Sequence, residues 1–340
     1  MGLEQAWYRG SRWLKLLRPL ESLFCILARR RRQEYQQGKR PSWTAPVPVV
    51  VVGNISVGGT GKSPLVIWLV EQLRQQGYKP GVISRGYRAT PPTTPYFVTA
   101  ASSSAEAGDE PLMIVRRTGV PLVISADRVA AAKLLLEQTS CDLIISDDGM
   151  QHYALNRSIE IAVIDGARGF GNGRCLPEGP LREPVERLEE VDLIVVNGGS
   201  PGNLLKNSLL HKAFPMMLQP GDLVRLTDDQ RVAVDQWSLS RQVNAVAAIG
   251  NPKRFTETLS ALGFTSKLYS FPDHHTYTER DFSFHQERPL IMTEKDAVKC
   301  DHIALTDAWY LQVNADLDND FITQLGSLLD GLPSAMNETE

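Results

Sequence analysis

The sequence predicts an α/β protein with a doubly wound, mainly parallel sheet, a second and smaller α/β lobe, and an N-terminal amphipathic helix. Three observations support this fold class. Short β-branched runs alternate with helical patterns from Val47 onwards, which is typical of βαβ units. A second, smaller set of the same kind begins at Asn244. Apolar side chains recur at helical spacing among basic ones in the first 28 residues, as they do in an amphipathic helix.

The composition is that of a globular protein. A chain of 340 residues with 42% hydrophobic content is long enough for about two domains, each with its own core. The formal net charge of −3 argues against a general nucleic-acid-binding protein. Residues 1–40, however, hold ten Lys and Arg against three acidic residues. A basic arm therefore precedes an acidic body.

The cysteines and the N-terminus indicate a reduced, cytosolic protein. The chain has four cysteines, which lie far apart: Cys25, Cys141, Cys175 and Cys300. With no Cys-x-x-Cys pair, their spacing predicts neither a zinc site nor a disulfide framework. The apolar run Leu23 to Ala28 is far shorter than the roughly 20 residues of a membrane-spanning helix. The basic cluster Arg29 to Arg32 follows this run, which argues against a cleavable signal peptide.

The N-terminal pattern leaves two interpretations open. We predict a helix bent at Pro19. Basic charge beside Trp and Leu suits a helix that lies in the surface of an anionic membrane. A helix that packs on its own domain would show the same pattern. The apolar residues at helical spacing are Leu3, Trp7, Trp13, Leu14, Leu17, Leu20, Phe24 and Leu27.

The body of the chain divides into two predicted α/β units. Pro and Gly interrupt a strand-like alternation in Phe214 to Leu226, which predicts an extended connector between two lobes. We therefore predict a basic membrane-surface helix (1–40), a nucleotide-binding domain (41–213) and a smaller C-terminal α/β domain (214–340). The predicted strands of the larger domain are Val47 to Val52, Val82 to Ser84, Pro121 to Ser125, Leu143 to Ser146, Ile159 to Ile164 and Leu193 to Val196.

A phosphate-binding loop follows the first of these strands. The segment Gly58-Gly59-Thr60-Gly61-Lys62-Ser63 stands between that strand and the helical run Leu65 to Leu73, and this order is typical of P-loop NTPases. Glycines let backbone N–H groups approach phosphate, and the helix N-terminus adds positive partial charge. Lys62 would contact the β- and γ-phosphates, and Ser63 would ligate Mg²⁺. The usual pattern needs Gly at position 56, where this chain has Ser56. We predict ATP with Mg²⁺ as the ligand.

Carboxylates at a strand end indicate the metal site. Asp147 and Asp148 directly follow the apolar run Leu143 to Ser146. Acidic residues at the carboxyl edge of a parallel strand can hold Mg²⁺ directly or through water. Asp148-Gly149 alone would also suit a simple turn.

Three further polar segments are ambiguous from the residues alone. Asp109 lies at the start of a predicted helix, a position at which a carboxylate most often serves as a simple N-cap. His274 and His275 lie in a loop after a strand, where catalytic groups often occur, although most lone histidines are structural or solvated. Thr293 to Asp296 follows another strand and could be a solvated turn.

Together these segments resemble the tetraacyldisaccharide 4′-kinase family of lipid A synthesis, from about residue 5 to about residue 315. The family's own loop lacks the glycine that is missing here, and Met150 stands where the family usually has Phe. The matching segments are Gly53-Asn54 with Val57 to Pro64, Ser84 to Tyr87, Gly108 to Pro111, Ala126 to Arg128, Asp147 to Gln151, Leu176-Pro177 with Gly179 to Glu183, Asp273-His274, and Thr293 to Asp296.

The resemblance implies an activity and a set of site residues. The activity is ATP-dependent phosphorylation of the 4′-hydroxyl of a tetraacylated glucosamine disaccharide 1-phosphate, giving lipid IVA. The resemblance also favours the membrane interpretation of the N-terminal helix. It implies a peripheral enzyme at the cytoplasmic face of the inner membrane, with no nucleic acid and no obligate protein partner. By likeness, the catalytic pair is Asp109 and His274, the metal lies among Asp147, Asp148 and Glu183, and substrate phosphate is held by Arg85 and Arg128.

A different class of protein has a similar loop. Nucleotide-driven switches and partitioning ATPases also contain Gly-Gly-Thr-Gly-Lys. They carry a lysine just before the glycines, where this chain has Val57. This difference favours the kinase interpretation.

Overall fold

The computed structural model describes residues 3–284 and 288–332; the outermost parts of the predicted units, 1–2 and 333–340, lie outside these residues. The described strands are β1 (Val49–Gly53), β2 (Pro80–Ser84), β3 (Tyr96–Val98), β4 (Leu122–Ile124), β5 (Leu143–Asp147), β6 (Ile159–Asp165), β7 (Leu193–Asn197), β8 (Ala213–Arg225), β9 (Arg231–Val232), β10 (Gln242–Ala247), β11 (Thr265–Ser270), β12 (Leu290–Thr293) and β13 (Ala308–Leu317). The described α-helices are α1 (Leu3–Arg9), α2 (Arg18–Gln36), α3 (Lys62–Gln75), α4 (Ser104–Ala107), α5 (Asp109–Thr118), α6 (Arg128–Gln138), α7 (Pro252–Ala261), α8 (Glu294–Ala297) and α9 (Asn319–Asp330).

The first half of the chain forms the predicted doubly wound sheet. Its strand order is β7-β6-β1-β5-β2-β4-β3, and only the edge pair β3–β4 is antiparallel. Val50 and Val52 of β1 share a core with α3 and α5, whereas Val49 and Val51 share one with α6. Side chains alternate between the two faces of a strand. Helices therefore cover both faces, and the carboxyl ends of the central strands meet at one edge.

The second half continues the same sheet. The predicted connector at 214–226 is largely strand β8, which runs parallel to β7 and antiparallel to β13. Beyond β13 lie β12, β10 and β11 in parallel. Helix α9 then returns to the core of the first half, where Phe321 contacts the rings of Trp68 and Phe214. The boundary predicted at residue 213 remains a prediction, since β8 belongs to a sheet that spans both halves.

The N-terminal arm differs from the single bent helix that we predicted. Helix α1 ends at Arg9, a 3₁₀ turn covers Arg12–Leu17, and α2 begins at Arg18. The break falls at Gly10, whose φ of +65° suits glycine. Pro19 lies in the first turn of α2. Backbone N–H groups in that turn have no hydrogen-bond partner within the helix, so the missing N–H of proline costs nothing there.

The arm packs on the domain along one side and exposes apolar residues on the other. Ala6, Trp7 and Leu14 are buried and pack near Val57 and Leu176. Within residues 3–284 and 288–332, none of the helices has the length and apolar character that crossing a membrane requires. The large apolar side chains left exposed on the arm are Leu3, Trp13, Leu16, Leu20, Leu23, Ile26 and Leu27.

Candidate active site

Two asparagines form hydrogen bonds with the loop between β1 and α3. Gly58 and Gly61 have φ values of +98° and +92°, a region that favours glycine. The Asn54 side chain donates to Thr60 Oγ1 at 3.4 Å, and Asn197 Nδ2 donates to the Thr60 carbonyl at 3.0 Å. In the described structure no side chain caps α3. Its first-turn N–H groups therefore remain available to phosphate oxygens, so the loop fits a nucleotide.

Lys62 and Asp148 face each other across the mouth of this loop. Lys62 Nζ lies 3.3 Å from Asp148 Oδ1, and Arg182 lies 3.1 Å from Asp148 Oδ2. Burial acts against ionisation, but the two cations hold the pKa of Asp148 at about 2. The carboxylate is therefore charged at neutral pH.

Asp147 lies at the carboxyl end of β5, opposite Val52 of β1. Its Oδ2 accepts a hydrogen bond from Ser84 Oγ at 3.0 Å, while among the described residues its buried Oδ1 has no hydrogen-bond partner. Burial raises the pKa of Asp147 to about 6, and the carboxylates of Glu110 and Asp148 add to the rise. A cation would satisfy the orphaned oxygen and offset this repulsion.

These features fit Mg²⁺. Ser63 follows Lys62 in the first turn of α3 and is 9% exposed. Hard oxygen ligands of this kind are those that Mg²⁺ prefers. When bound, the ion would offset negative charge on the nucleotide phosphates.

Glu183 joins the site through hydrogen bonds. Its carboxylate accepts a bond from Gln151 Nε2 at 2.9 Å and another from the Tyr153 hydroxyl. Over the described ranges, Asp147, Asp148 and Glu183 do not form a cluster with all their ligand atoms within 4.8 Å of one another. Direct metal ligation by Glu183 therefore remains a prediction.

Asp109 and His274 meet across the two halves of the chain. His274 Nδ1 lies 2.9 Å from Asp109 Oδ2, and the side chains are 17% and 11% exposed. The interpretation of Asp109 as a simple helix N-cap, which its sequence position favours, is wrong. Gly108 is the N-cap of α5, and no side-chain cap bond forms there. The Tyr87 ring packs edge-on against the imidazole, with ring centroids 5.4 Å apart.

Lys295 fixes this pair from the opposite side. Its Nζ lies 3.1 Å from Glu110 Oε1, 3.5 Å from Asp273 Oδ1 and 3.5 Å from His274 Nε2. Burial lowers the pKa of Lys295, but the neighbouring carboxylates outweigh this and raise it. The Lys295 amine beside Nε2 suits the His274 tautomer that carries its proton on Nδ1 and donates it to Asp109.

The solvated turn considered for Thr293 to Asp296 is therefore wrong. The Lys295 side chain is 17% exposed. Glu294 is bound by Arg117 at 2.9 Å, and these two side chains are 12% and 8% exposed. The segment joins the second half of the chain to α5.

We expect Lys295→Met to lower kcat between about 10- and 100-fold, because a loss of orientation at His274 is costly even without a lost substrate contact. The KM for ATP should change little. The matched control is Lys253→Met, which removes an exposed lysine of α7. Steady-state kinetics on both variants provide the measurement. A folded Lys295→Met variant with near-normal kcat would contradict the orienting role.

The two arginines expected at substrate phosphate lie in different environments. Arg85 follows β2 and is exposed. Arg128 is 3% exposed, and its guanidinium donates to the Ser125 carbonyl at 2.7 Å and to the Asp147 carbonyl at 3.3 Å. Burial lowers the pKa of Arg128 to about 10. Arg128 thus supports the backbone at Asp147.

Sequence reasoning did not single out Arg182 or Asn197. Asn197 ends β7, and a polar residue at the carboxyl end of a buried parallel strand is a usable signal. Arg182 lies in a loop, and only the fold brings it to Asp148.

A phosphate-binding loop, a carboxylate pair suited to Mg²⁺ and a carboxylate–imidazole pair define a nucleotide-dependent phosphotransferase of the P-loop class. Residues 13–330 match the family model described as LpxK, tetraacyldisaccharide-1-P 4′-kinase. The chain belongs to this family, and it is a kinase that uses ATP and Mg²⁺.

Similar proteins cover almost the whole chain. Tetraacyldisaccharide 4′-kinase from Pseudomonas aeruginosa is 49% identical over 327 residues, which is 96% of each chain. The protein of that name from Pseudomonas putida is 50% identical over 310 residues, covering 91% of this chain and 90% of the other. A crystal structure of LpxK from Aquifex aeolicus in complex with ATP aligns with a TM-score of 0.79 and 28% identity, covering 93% of this chain and 99% of that one.

Proposed function

We infer that the protein transfers the γ-phosphoryl group of ATP to the 4′-hydroxyl of a tetraacylated glucosamine disaccharide 1-phosphate, giving lipid IVA in lipid A biosynthesis. Family membership identifies the substrate. The observation that carries the chemistry is the Asp109–His274 pair, whose facing atoms are 2.9 Å apart. The next residue, Glu110, is close enough to Asp147 to raise its pKa, so the pair lies on the side of the candidate metal site. Such a pair suits proton removal from an alcohol.

We propose that Asp109 is the general base. Its Oδ2 accepts a hydrogen bond from His274 Nδ1–H, so Oδ1 is left for the sugar hydroxyl. The hydroxyl proton moves to Asp109 as the sugar oxygen bonds to the γ-phosphorus, and the bond to the β,γ-bridging oxygen breaks to release ADP. His274 orients the carboxylate, and Lys295 keeps His274 in the required tautomer. Catalysis of this type rests mainly on positioning and charge neutralisation.

The remaining site residues bind and position the nucleotide and the lipid. We propose that Gly58 to Ser63 bind the nucleotide phosphates, and that Lys62 is also catalytic because its charge offsets that on the transferred group. Ser63, Asp147, Asp148 and Glu183 would surround Mg²⁺. Exposed Arg85 is the better candidate for substrate phosphate, while Arg128 acts by supporting the Asp147 backbone.

One incubation tests the activity. Purified full-length protein with γ-labelled ATP, Mg²⁺ and the lipid disaccharide 1-phosphate should give a labelled lipid with one added phosphate. The control acceptor is the same lipid with the 4′-hydroxyl blocked. Label in the blocked lipid, or none in either lipid, would reject the assignment.

We further propose that the enzyme is peripheral to the cytoplasmic face of the bacterial inner membrane. The support is the arm, where Leu16 and Ile26 are 81% and 62% exposed. Arg29 and Arg31 at the end of this surface are also exposed. An apolar face with basic charge beside it suits a helix in an anionic interface, which is where acyl chains of the substrate would lie.

Charge reversal in the arm should weaken vesicle binding. Each basic group near an anionic surface contributes about 1 kcal/mol, so Arg29→Glu with Arg31→Glu should reduce partitioning at least about 30-fold and make what remains less salt-sensitive. Arg32 is left unchanged because it pairs with Glu190. Lys253→Glu is the control, and sedimentation with anionic vesicles is the measurement. Equal sedimentation of both variants would indicate that the arm only packs.

A further inference from the structure

A cluster of two thiols and a carboxylate lies where the arm meets the domain. Cys25 Sγ donates to Glu21 Oε1 at 3.6 Å, and the Cys175 backbone N–H donates to the same oxygen at 3.3 Å. One ligand atom from each of the three side chains lies within 4.8 Å of the others. Across residues 3–284 and 288–332, no other group of three such side chains meets this distance.

The cluster joins parts of the chain that are far apart in sequence. Glu21 and Cys25 are four residues apart on α2, which places both on one helix face. Cys175 lies in the loop that leads to Arg182 and Glu183, and its backbone pairs with Leu181. The cysteines lie far apart in the sequence, so their spacing alone predicts no cluster. Only the fold brings Cys25 and Cys175 together.

The environment of the cluster favours a cation. Glu21 is 8% and Cys175 is 2% exposed, and the hydrogen bonds to the buried carboxylate come from a thiol and a backbone amide rather than from a cationic side chain. Arg18 acts on Glu21 electrostatically but donates its side-chain hydrogen bonds to Glu178. A cation bound directly to the Glu21 carboxylate would therefore offset more of the cost of its burial. A metal that binds here would displace the protons of both thiols.

The donor set selects the kind of cation. Zn²⁺ binds cysteine sulfur at about 2.3 Å and carboxylate oxygen at about 2.0 to 2.2 Å, so ligands of one ion lie about 3.5 to 4 Å apart. The ligand atoms of the three side chains lie within 4.8 Å of one another, so they would need to move only slightly closer to bind one ion. Two sulfurs discriminate against Mg²⁺ and Ca²⁺. Cys25 is only partly buried, which leaves an open side for water as a fourth ligand.

We propose that Glu21, Cys25 and Cys175 form a binding site for a thiophilic divalent cation of the Zn²⁺ type. The bound ion joins α2 to the loop that carries Arg182 and Glu183, and so fixes the membrane-facing arm relative to the nucleotide site. Both thiols lose a proton on binding, and no oxidation is involved.

The test uses full-length protein, freed of metal by a chelator and kept reduced. Co²⁺ is the spectroscopic probe, because sulfur ligation gives an intense thiolate-to-cobalt absorption that oxygen ligands at Asp147 and Asp148 do not give. We expect one such Co²⁺ per chain, displaced by one equivalent of Zn²⁺. Absence of the thiolate band in folded protein would overturn the proposal.

Variants assign the band to these residues. Cys25→Ser and Glu21→Gln should each weaken Co²⁺ binding at least about tenfold, and Cys25→Ser should also reduce the band. The matched controls are Cys141→Ser and Cys300→Ser, which remove buried cysteines elsewhere. An unchanged band in Cys25→Ser, or its loss in both controls, would contradict the assignment.

A second measurement does not depend on the Co²⁺ absorption band. Zn²⁺ should raise the thermal unfolding midpoint of the wild-type protein, since a ligand that binds only the folded state stabilises it. It should also slow alkylation of Cys25. At the same Zn²⁺ concentration both effects should be smaller in Glu21→Gln, which retains both thiols but lacks the carboxylate ligand. Equal stabilisation of wild type and Glu21→Gln would place the ion elsewhere.

Discussion

Replacing Lys62 by Ala should remove nearly all phosphoryl transfer while the protein stays folded. The Lys62 amine is 3.3 Å from Asp148 at the mouth of the loop, and we propose that it offsets charge on the transferred phosphoryl group. Loss of one such electrostatic contact typically costs about 100- to 1,000-fold in kcat. Asp148 would still be paired with Arg182, so no buried charge is left alone and the fold should persist.

Steady-state kinetics together with circular dichroism provide the measurement. The matched control is Lys79→Ala, an exposed lysine of the same half of the chain, which should retain full turnover. A folded Lys62→Ala enzyme with turnover close to that of this control would reject the loop assignment.

The second large effect is expected at the Asp109–His274 pair. Asp109→Ala and His274→Ala should each lower kcat by about 100- to 10,000-fold, with little change in the KM for ATP. If His274 acts only by orienting Asp109, the double variant should lose much less than the sum of the two free energies. Additive losses would show that the two side chains act separately.

The adjacent histidine is a natural control for this cycle. His275 Nε2 lies 3.3 Å from Asp281 Oδ2, and its ring stacks on Phe271 with centroids 4.7 Å apart. His275→Ala should therefore leave kcat within a few-fold of wild type. A loss as large as that of His274→Ala would contradict the distinction between the two histidines.

Local features of the sequence predicted much of the fold and the loop. Strand β1, the glycine-rich loop and α3 follow one another along the chain, so their chemistry is readable from adjacent residues. The apolar runs at Leu143 and Leu193 likewise became β5 and β7, because strands buried on both faces require continuous apolar sequence.

Non-local arrangements were harder to predict. The sequence around Lys295 is compatible with a solvated turn, and its contact with α5 exists only in the folded chain. In the same way, the sequence around Asp109 favours a helix cap, and its contact with His274 depends on the fold. The predicted connector at 214–226 is a strand because β13, almost 100 residues later, pairs with it. The meeting of Cys25 with Cys175 depends on how the arm docks, which no spacing rule describes.

The arm shows how one pattern can serve two roles. Its helical spacing was compatible with packing or with a membrane surface, and each role is supported by a different side of the arm. Trp7 donates to the Pro177 carbonyl at 3.0 Å and fixes the packed side. The exposed leucines on the other side are the residues that we propose contact lipid.

The stereochemistry of transfer tests the central claim most directly. If Asp109 and His274 act on the acceptor hydroxyl itself, the phosphoryl group passes in one in-line displacement. With ATP made chiral at the γ-phosphorus by oxygen isotopes, the phosphorylated lipid should then show inverted configuration. Retention would mean two displacements through a phosphorylated side chain, such as His274, and would contradict the account.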